Sequence, residues 1–168
     1  MTKKLKLIRP ALWLSCFILL GALPLPVAAQ GEPNTNRPAI YDESADGAQQ
    51  IADALIIAKK DGKNVLLQFG ANWCVWCHRL HTLCATNPDI AKVLRKNFVV
   101  VLIDVNQKHN AATDAKYGHP IRFGLPVLVV LDANGQLLTT EDSGKLEEGD
   151  HHSPEKVLAF LKAWTPKK

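Results

Sequence analysis

Methionine occurs only as Met1, and cysteine only at Cys16, Cys74, Cys77 and Cys84. The first scarcity leaves any bound haem without a methionine axial ligand, although a histidine ligand or an open site remains. The second excludes a disulfide framework, because the three cysteines beyond the N-terminal segment are an odd number and too few. An excess of charge is also missing once that segment is set apart. Lys3, Lys4, Lys6 and Arg9 supply four of the 20 Lys and Arg, and the first 29 residues hold none of the 16 Asp and Glu, so sixteen of each remain. A chain balanced in this way has no net basic surface to neutralise phosphates, so nucleic acid is not an expected partner. No internal repeat is present. At 168 residues and 47% hydrophobic content the chain suits one packed domain.

The apolar run from Ala11 to Leu23 falls short of the roughly 20 residues of a membrane span. It follows the basic start and leads into Pro24, Pro26 and Val27-Ala28-Ala29, the layout of a secretory signal peptide cleaved after Ala29. Residues 1–29 are therefore read as a signal, and the remainder as periplasmic or secreted; an uncleaved membrane anchor is the alternative. Leu14-Ser15-Cys16 faintly matches a lipidation site, but the apolar run continues past Cys16 where such a run would end. Residues 30–43 read as a flexible leader, with Gln30 to Pro38 offering nothing to bury.

From residue 44 to 165 the pattern is that of an α/β domain. Ile51, Ala54, Leu55 and Ala58 recur at helical spacing between Ser44 and Lys60, and Asp61-Gly62 stops the helix. Val65 to Phe69 is a short apolar strand. A helix follows from about Trp73–Cys74 to Cys84, and Asn87-Pro88-Asp89 opens another that runs to about Lys96. Phe98 to Ile103 is continuously apolar, as in a strand buried on both faces. Ala111 to Tyr117 predicts a helix, Val127 to Leu131 a third strand, and Ala133-Asn134-Gly135-Gln136 a turn into an antiparallel return at Leu137 to Thr140. Gly144 to His152 reads as an exposed polar loop, with His151 and His152 decorating it. Ser153-Pro154-Glu155 caps a last helix, whose Trp164 packs it onto the sheet. Strands alternating with helices predict parallel strands first and an antiparallel hairpin last.

The chemistry concentrates at Trp73-Cys74-Val75-Trp76-Cys77-His78, directly after the first strand and at the start of a helix. Two intervening residues let both sulfurs close into a disulfide. Free N–H groups and the helix dipole favour a thiolate at the first cysteine, so Cys74 is the expected nucleophile and Cys77 the resolving partner. Two rivals use the same residues. Cys74-x-x-Cys77-His78 also matches a c-type haem attachment motif, although its place after a buried strand suits a redox dithiol better. Cys77, His81 and Cys84 share one helix face at a spacing that zinc or copper(I) accepts, against a plain reading of His81 as surface and Cys84 as a small buried hydrophobe. His78, on the Cys74 face, is a candidate for adding positive charge near the thiolate. Gly124-Leu125-Pro126-Val127 sets a proline at the start of the third strand, cis or trans.

These residues together resemble the thioredoxin superfamily over about Ser44 to Trp164. The anchors are Phe69-Gly70-Ala71-Asn72-Trp73-Cys74-Val75-Trp76-Cys77, Phe98–Asp104, Lys116-Tyr117-Gly118, Gly124-Leu125-Pro126 and Asp132-Ala133-Asn134-Gly135. Trp73-Cys74-Val75-x-Cys77, Asn87-Pro88-Asp89-Ile90 and Gly124-Leu125-Pro126 look most like the C-terminal domain of the periplasmic thiol:disulfide interchange reductase and its soluble relatives. The resemblance implies a thioredoxin fold, a central mixed sheet with helices on both faces. It implies a cis Leu125–Pro126 peptide beside the dithiol, where substrate backbone is held, and Trp73 at the rim. It also implies dithiol exchange with exported proteins that carry disulfides or thiols, more in the reducing direction; the chain is read as a monomer without metal or cofactor. An external partner, membrane-bound, would recharge the dithiol. Gln68 departs from the family at the position of a buried acid six residues before the first cysteine, and an amide takes no proton from the resolving thiol. Val100 stands where the acid's lysine partner is expected, and Val75-Trp76 replaces a Gly-Pro spacer. The alternative function is a thiol-based metal-delivery or redox-inactive interaction module.

Overall fold

Seven consecutive buried residues, Asn64 to Gly70, form the central strand on which the domain is assembled. The structure, a computed structural model, describes residues 37–167; the signal segment, Cys16 and residues 30–36 of the expected leader lie outside them. The order is α1 (Gly47–Asp61), β1 (Asn64–Gly70), α2 (Val75–Thr86), α3 (Pro88–Asn97), β2 (Phe98–Asp104), α4 (Ala111–Lys116), β3 (Val127–Leu131), β4 (Leu137–Asp142), β5 (Glu147–Glu148), β6 (His151–His152) and α5 (Pro154–Ala163). Four strands make one mixed sheet in the order β2-β1-β3-β4. β1 and β2 are parallel, while β3 runs antiparallel to both β1 and β4.

Side-chain alternation along β1 divides the core in two. Val65, Leu67 and Phe69 face α1, packing with Ile51, Ala54, Ala58, Val127, Val129 and Leu131. Leu66 faces the other way, toward Leu80 of α2, Ile90 and Leu94 of α3, and Val157, Phe160 and Leu161 of α5. Helices thus cover both faces, as the sequence pattern predicts. Trp164 packs on the second cluster, and its carbonyl accepts a hydrogen bond from Asn64 Nδ2 at 2.9 Å.

The local signals act as read in most places. Asn87 Oδ1 accepts from the N–H groups of Asp89 and Ile90 (3.1 Å each) and starts α3 with Pro88 in its first turn. Gly62 ends α1 in the left-handed region at φ +65°. Asp132 Oδ1 accepts from Asn134 and Gln136 N–H and pins the β3–β4 turn.

Five expectations change. α1 starts at Gly47, capped by Asp46, because Ser44 belongs to a turn around Asp42 Oδ1. The leader ends early: Tyr41 is 3% exposed and part of the core, since its aromatic ring has a place to be buried beside the sheet. β2 is not covered on both faces; it is an edge strand, and Val100 is 44% exposed. Ser153 does not cap α5 with its side chain, because its hydroxyl donates to Glu155 Oε2 (3.0 Å). The 144–152 loop is ordered into a 3₁₀ turn (Ser143–Leu146) and the β5–β6 pair. Strand alternation in that pair points His151 outward and buries His152.

Candidate active site

The end of β1 delivers the chain into Ala71-Asn72-Trp73 and then into α2. Cys74 is the N-cap of that helix, with extended backbone (φ −76°, ψ 106°), and its Sγ accepts the Cys77 N–H at 3.1 Å. That N–H is one of the donors a helix start leaves without an intrahelical partner, so the sulfur of Cys74 sits where a negative charge is favoured. Cys74 and Cys77 form a disulfide with their Cα atoms 5.2 Å apart. Cys74 is 5% exposed and Cys77 is fully enclosed. An incoming sulfur therefore meets Cys74 first.

The predicted rim residues gather around this pair. Leu125 packs against the cluster of Cys74, Cys77 and Tyr41, and the Leu125–Pro126 peptide is cis. The Pro126 carbonyl accepts from the Ser143 hydroxyl, which ties the start of β3 to the 3₁₀ turn. Trp73 is 52% exposed, and its indole N–H donates to Asn106 Oδ1 at 3.1 Å, which holds the ring at the surface.

One tuning candidate contacts the site loop and the other the residues beneath it. His78 Nε2 lies 2.8 Å from the Asn72 carbonyl. A carbonyl only accepts, so that nitrogen carries a hydrogen and the ring is locked toward the loop before Cys74. Gln68 is buried, and its side-chain N–H groups reach the Tyr41 hydroxyl (2.7 Å) and the Cys77 carbonyl (3.5 Å). The amide braces the floor of the site by hydrogen bonding where an acid would have titrated.

The proposed metal face does not assemble into a ligand set among the described residues. Cys77 is committed to the disulfide, and Cys84 packs into the α2–α3–α5 core, where burial pushes its thiol up to about 12.

Four contributors escape a reading of the motif alone. Asn72 Oδ1 accepts from both Ile40 and Tyr41 N–H (2.9 Å each), and Asn72 Nδ2 donates to the Tyr41 carbonyl (3.0 Å). Tyr41 thereby lies under the dithiol, with its phenol held far above its ordinary pKa first of all by burial. Asp104, at the end of β2, is paired with Gly70 in the sheet register and buried, with Oδ2 accepting from Asn106 N–H (3.0 Å) and lying 3.2 Å from His109 Nδ1. His152 packs edge to face with Trp76 at 5.3 Å, and Arg79 stacks on the Trp76 ring at 4.7 Å. His152 is 3% exposed, and burial, followed by the nearby charges of Arg79 and His151, lowers its pKa to about 4. The Asn72-to-Tyr41 distance of 31 residues explains why sequence patterning alone does not find the first pair. A groove of about 570 Å³ runs beside Val75, His78, Arg79 and His152.

The chain matches a family model described as thioredoxin-like over residues 46–133, just over half its length. It is 34% identical to the thiol:disulfide interchange protein DsbD of Salmonella typhi over 120 residues, which is 70% of this chain and 20% of that protein. The chain thus spans about a fifth of the length of the curated relatives it matches. Among solved structures, a disulphide isomerase from Xylella fastidiosa Temecula1 is 35% identical with a TM-score of 0.68, covering 75% of this chain and 96% of that one. The reduced C-terminal domain of Neisseria meningitidis DsbD shares the fold at 21% identity and a TM-score of 0.52, covering 71% of this chain and 96% of that one.

Proposed function

The chain belongs to the thioredoxin-like family, and on that footing we propose that it is a thiol:disulfide oxidoreductase acting on protein disulfides through Cys74 and Cys77. The observation that carries the reading is the placement of the pair. Cys74 caps a helix and receives an N–H on its sulfur, while Cys77 is enclosed one turn further in.

The reaction follows from that asymmetry. The Cys74 thiolate attacks a substrate disulfide and forms a mixed disulfide, releasing one substrate thiolate. Cys77 then attacks Cys74 Sγ, releasing the second substrate sulfur and closing the Cys74–Cys77 bond. The reverse sequence oxidises substrate thiols. Trp73, Leu125 and Pro126 form the surface along which the substrate chain lies, in support of which Leu125 packs on the dithiol and Trp73 stands at its edge. Gln68 and His78 tune the pair through the floor and the loop.

Family resemblance favours the reducing direction. The basic and apolar N-terminus supports export with cleavage after Ala29, which sets the domain against periplasmic or secreted proteins as substrates. Among the described residues no helix is long and apolar enough to cross a membrane, and the reading includes an external, membrane-bound redox partner and a monomeric enzyme.

The test is the equilibrium potential of the Cys74–Cys77 couple, with trapping of mixed disulfides in a Cys77→Ser variant. Thiol-linked exported proteins are the expected catch, with a potential well below the roughly −120 mV of a strong periplasmic oxidant. A potential near that value would reverse the direction. Failure to trap any thiol-linked protein would remove the oxidoreductase reading.

A further inference from the structure

Resolution of a mixed disulfide requires Cys77 to become a thiolate, and Cys77 is fully enclosed. A buried thiolate is costly unless a donor reaches its sulfur. The cluster around it consists of Tyr41 and Cys74 with Ile40, Trp76, Leu102 and Leu125. Gln68 contributes no acid here, and its amide N–H is given to Tyr41. The Trp76 ring packs edge to face against His152 and carries Arg79 on its face. The phenol of Tyr41 is the side-chain donor whose oxygen shares a boundary with the Cys77 sulfur.

Its position is fixed by a shared boundary. A Cβ added to Gly70 would collide with Tyr41 Oη and lie 2.7 Å from Cys77 Sγ, so oxygen and sulfur both border the bare Cα of Gly70 at the end of β1. Gln68 Nε2 donates to the phenol oxygen at 2.7 Å. That bond uses a lone pair of the oxygen and leaves its hydrogen free to point elsewhere. Asn72 clamps the backbone of Tyr41 from the loop that carries Cys74, which ties the phenol to the dithiol loop.

We propose that Tyr41 is a further functional residue of this site: its hydroxyl donates a hydrogen bond to the sulfur of Cys77 as that sulfur becomes a thiolate. The inference rests on the dithiol reading above. In the resolving step the Cys77 S–H proton passes to solvent. The Cys77–Cys74 bond forms, and the Cys74–substrate S–S bond breaks with its electron pair on the substrate sulfur, which takes up a proton as pH dictates. The phenol keeps its own proton throughout, consistent with its burial. The charged group facing it is Asp104 at the end of β2, whose Oδ2 lies 3.2 Å from His109 Nδ1. Asp104 disfavours a second negative charge on the phenol, which therefore acts as a donor that keeps its hydrogen.

Reduced full-length protein mixed with 5,5′-dithiobis(2-nitrobenzoate) provides the test. Attack by Cys74 releases one coloured thiolate, and resolution by Cys77 releases the second. Tyr41→Phe is expected to leave the first release within about twofold, and to slow the second about tenfold at neutral pH, with its pH midpoint raised by about one unit. Gln68→Leu, which frees the phenol from its bracing amide, is expected to slow the second release by a smaller factor, about threefold. An unchanged second phase in both variants would overturn the proposal. So would equal slowing of both phases in Tyr41→Phe, which is the mark of a merely structural residue. Absence of any first release from the unmodified protein would overturn the dithiol reading itself, and this proposal with it.

Discussion

Asn72 holds both hydrogen-bonding groups of the Tyr41 backbone: Oδ1 accepts from the Tyr41 N–H at 2.9 Å and Nδ2 donates to its carbonyl at 3.0 Å. The same Oδ1 also accepts from Ile40 N–H. One side chain, two residues before Cys74, therefore fastens a segment from outside the α/β repeat onto the active-site loop. Asn72→Ala leaves two partly buried N–H groups and one carbonyl without that partner. A loss of about 2 kcal/mol in unfolding free energy is expected, with no change in the denaturant slope. Limited proteolysis should cut the 37–43 segment faster in the variant. An unchanged denaturation midpoint would mean that water replaces the clamp at no cost.

Among the described residues Cys84 is the thiol outside the redox pair, and its burial in the α2–α3–α5 core raises it to about 12. Since the thiolate is the reactive form, Cys84 should stay unmodified by iodoacetamide in the reduced native protein at pH 8, where Cys74 reacts first. Peptide mass mapping before and after unfolding checks this. Prompt labelling of Cys84 in the native state would show that the core around it opens readily.

The fold was legible because its signals are local. The β1 and β3 runs, the Asn87-Pro88 helix start and the Asp132–Gln136 turn each act within a few residues. The dithiol was legible for the same reason: a helix start and a two-residue spacing set Cys74 and Cys77. The floor of the site was not. Tyr41 lies 27 residues from Gln68 and 31 from Asn72, and a single tyrosine after a polar leader carries no periodic signal. β2 misled because an apolar, β-branched run looks alike in a central and an edge strand; its neighbours decide, and only β1 pairs with it. His152 misled because a two-residue strand is too short for alternation to be read before its partner is known.

That histidine gives a pH dependence with a definite sign. Its folded pKa, about 4, lies below the ordinary value of 6.5. Above 6.5 both folded and unfolded chains hold it neutral, and its full contribution is present. As pH falls below 6.5 the unfolded chain takes up a proton that the folded chain refuses until about 4, so stability declines across that window and then levels. The decline is on the order of 3 kcal/mol. Neither ring nitrogen has a hydrogen-bond partner, so His152→Phe keeps an aromatic ring against Trp76 while removing two unsatisfied atoms. The variant should be more stable than the parent at pH 5 and show a flatter stability curve between 6.5 and 4. Parallel curves for the two proteins would reassign the acid sensitivity to the carboxylates.

Gly70 tests the packing of the whole floor at once. Its hypothetical Cβ meets Tyr41 Oη and Cζ as well as Cys77 Sγ, and none of these is the loose end of a flexible chain. Tyr41 is clamped by Asn72 and Gln68, and Cys77 by the helix and the disulfide. Gly70→Ala should therefore cost about 2–3 kcal/mol of stability, through overpacking and not through backbone freedom. The cause can be isolated by a second change. In a Tyr41→Leu background, where the ring that the methyl strikes is gone, the same Gly70→Ala substitution should cost at least about 1 kcal/mol less, a coupling that a double-mutant cycle reads directly. Strict additivity of the two changes would mean that the methyl is resisted by Cys77 alone, and that the tyrosine does not share its boundary.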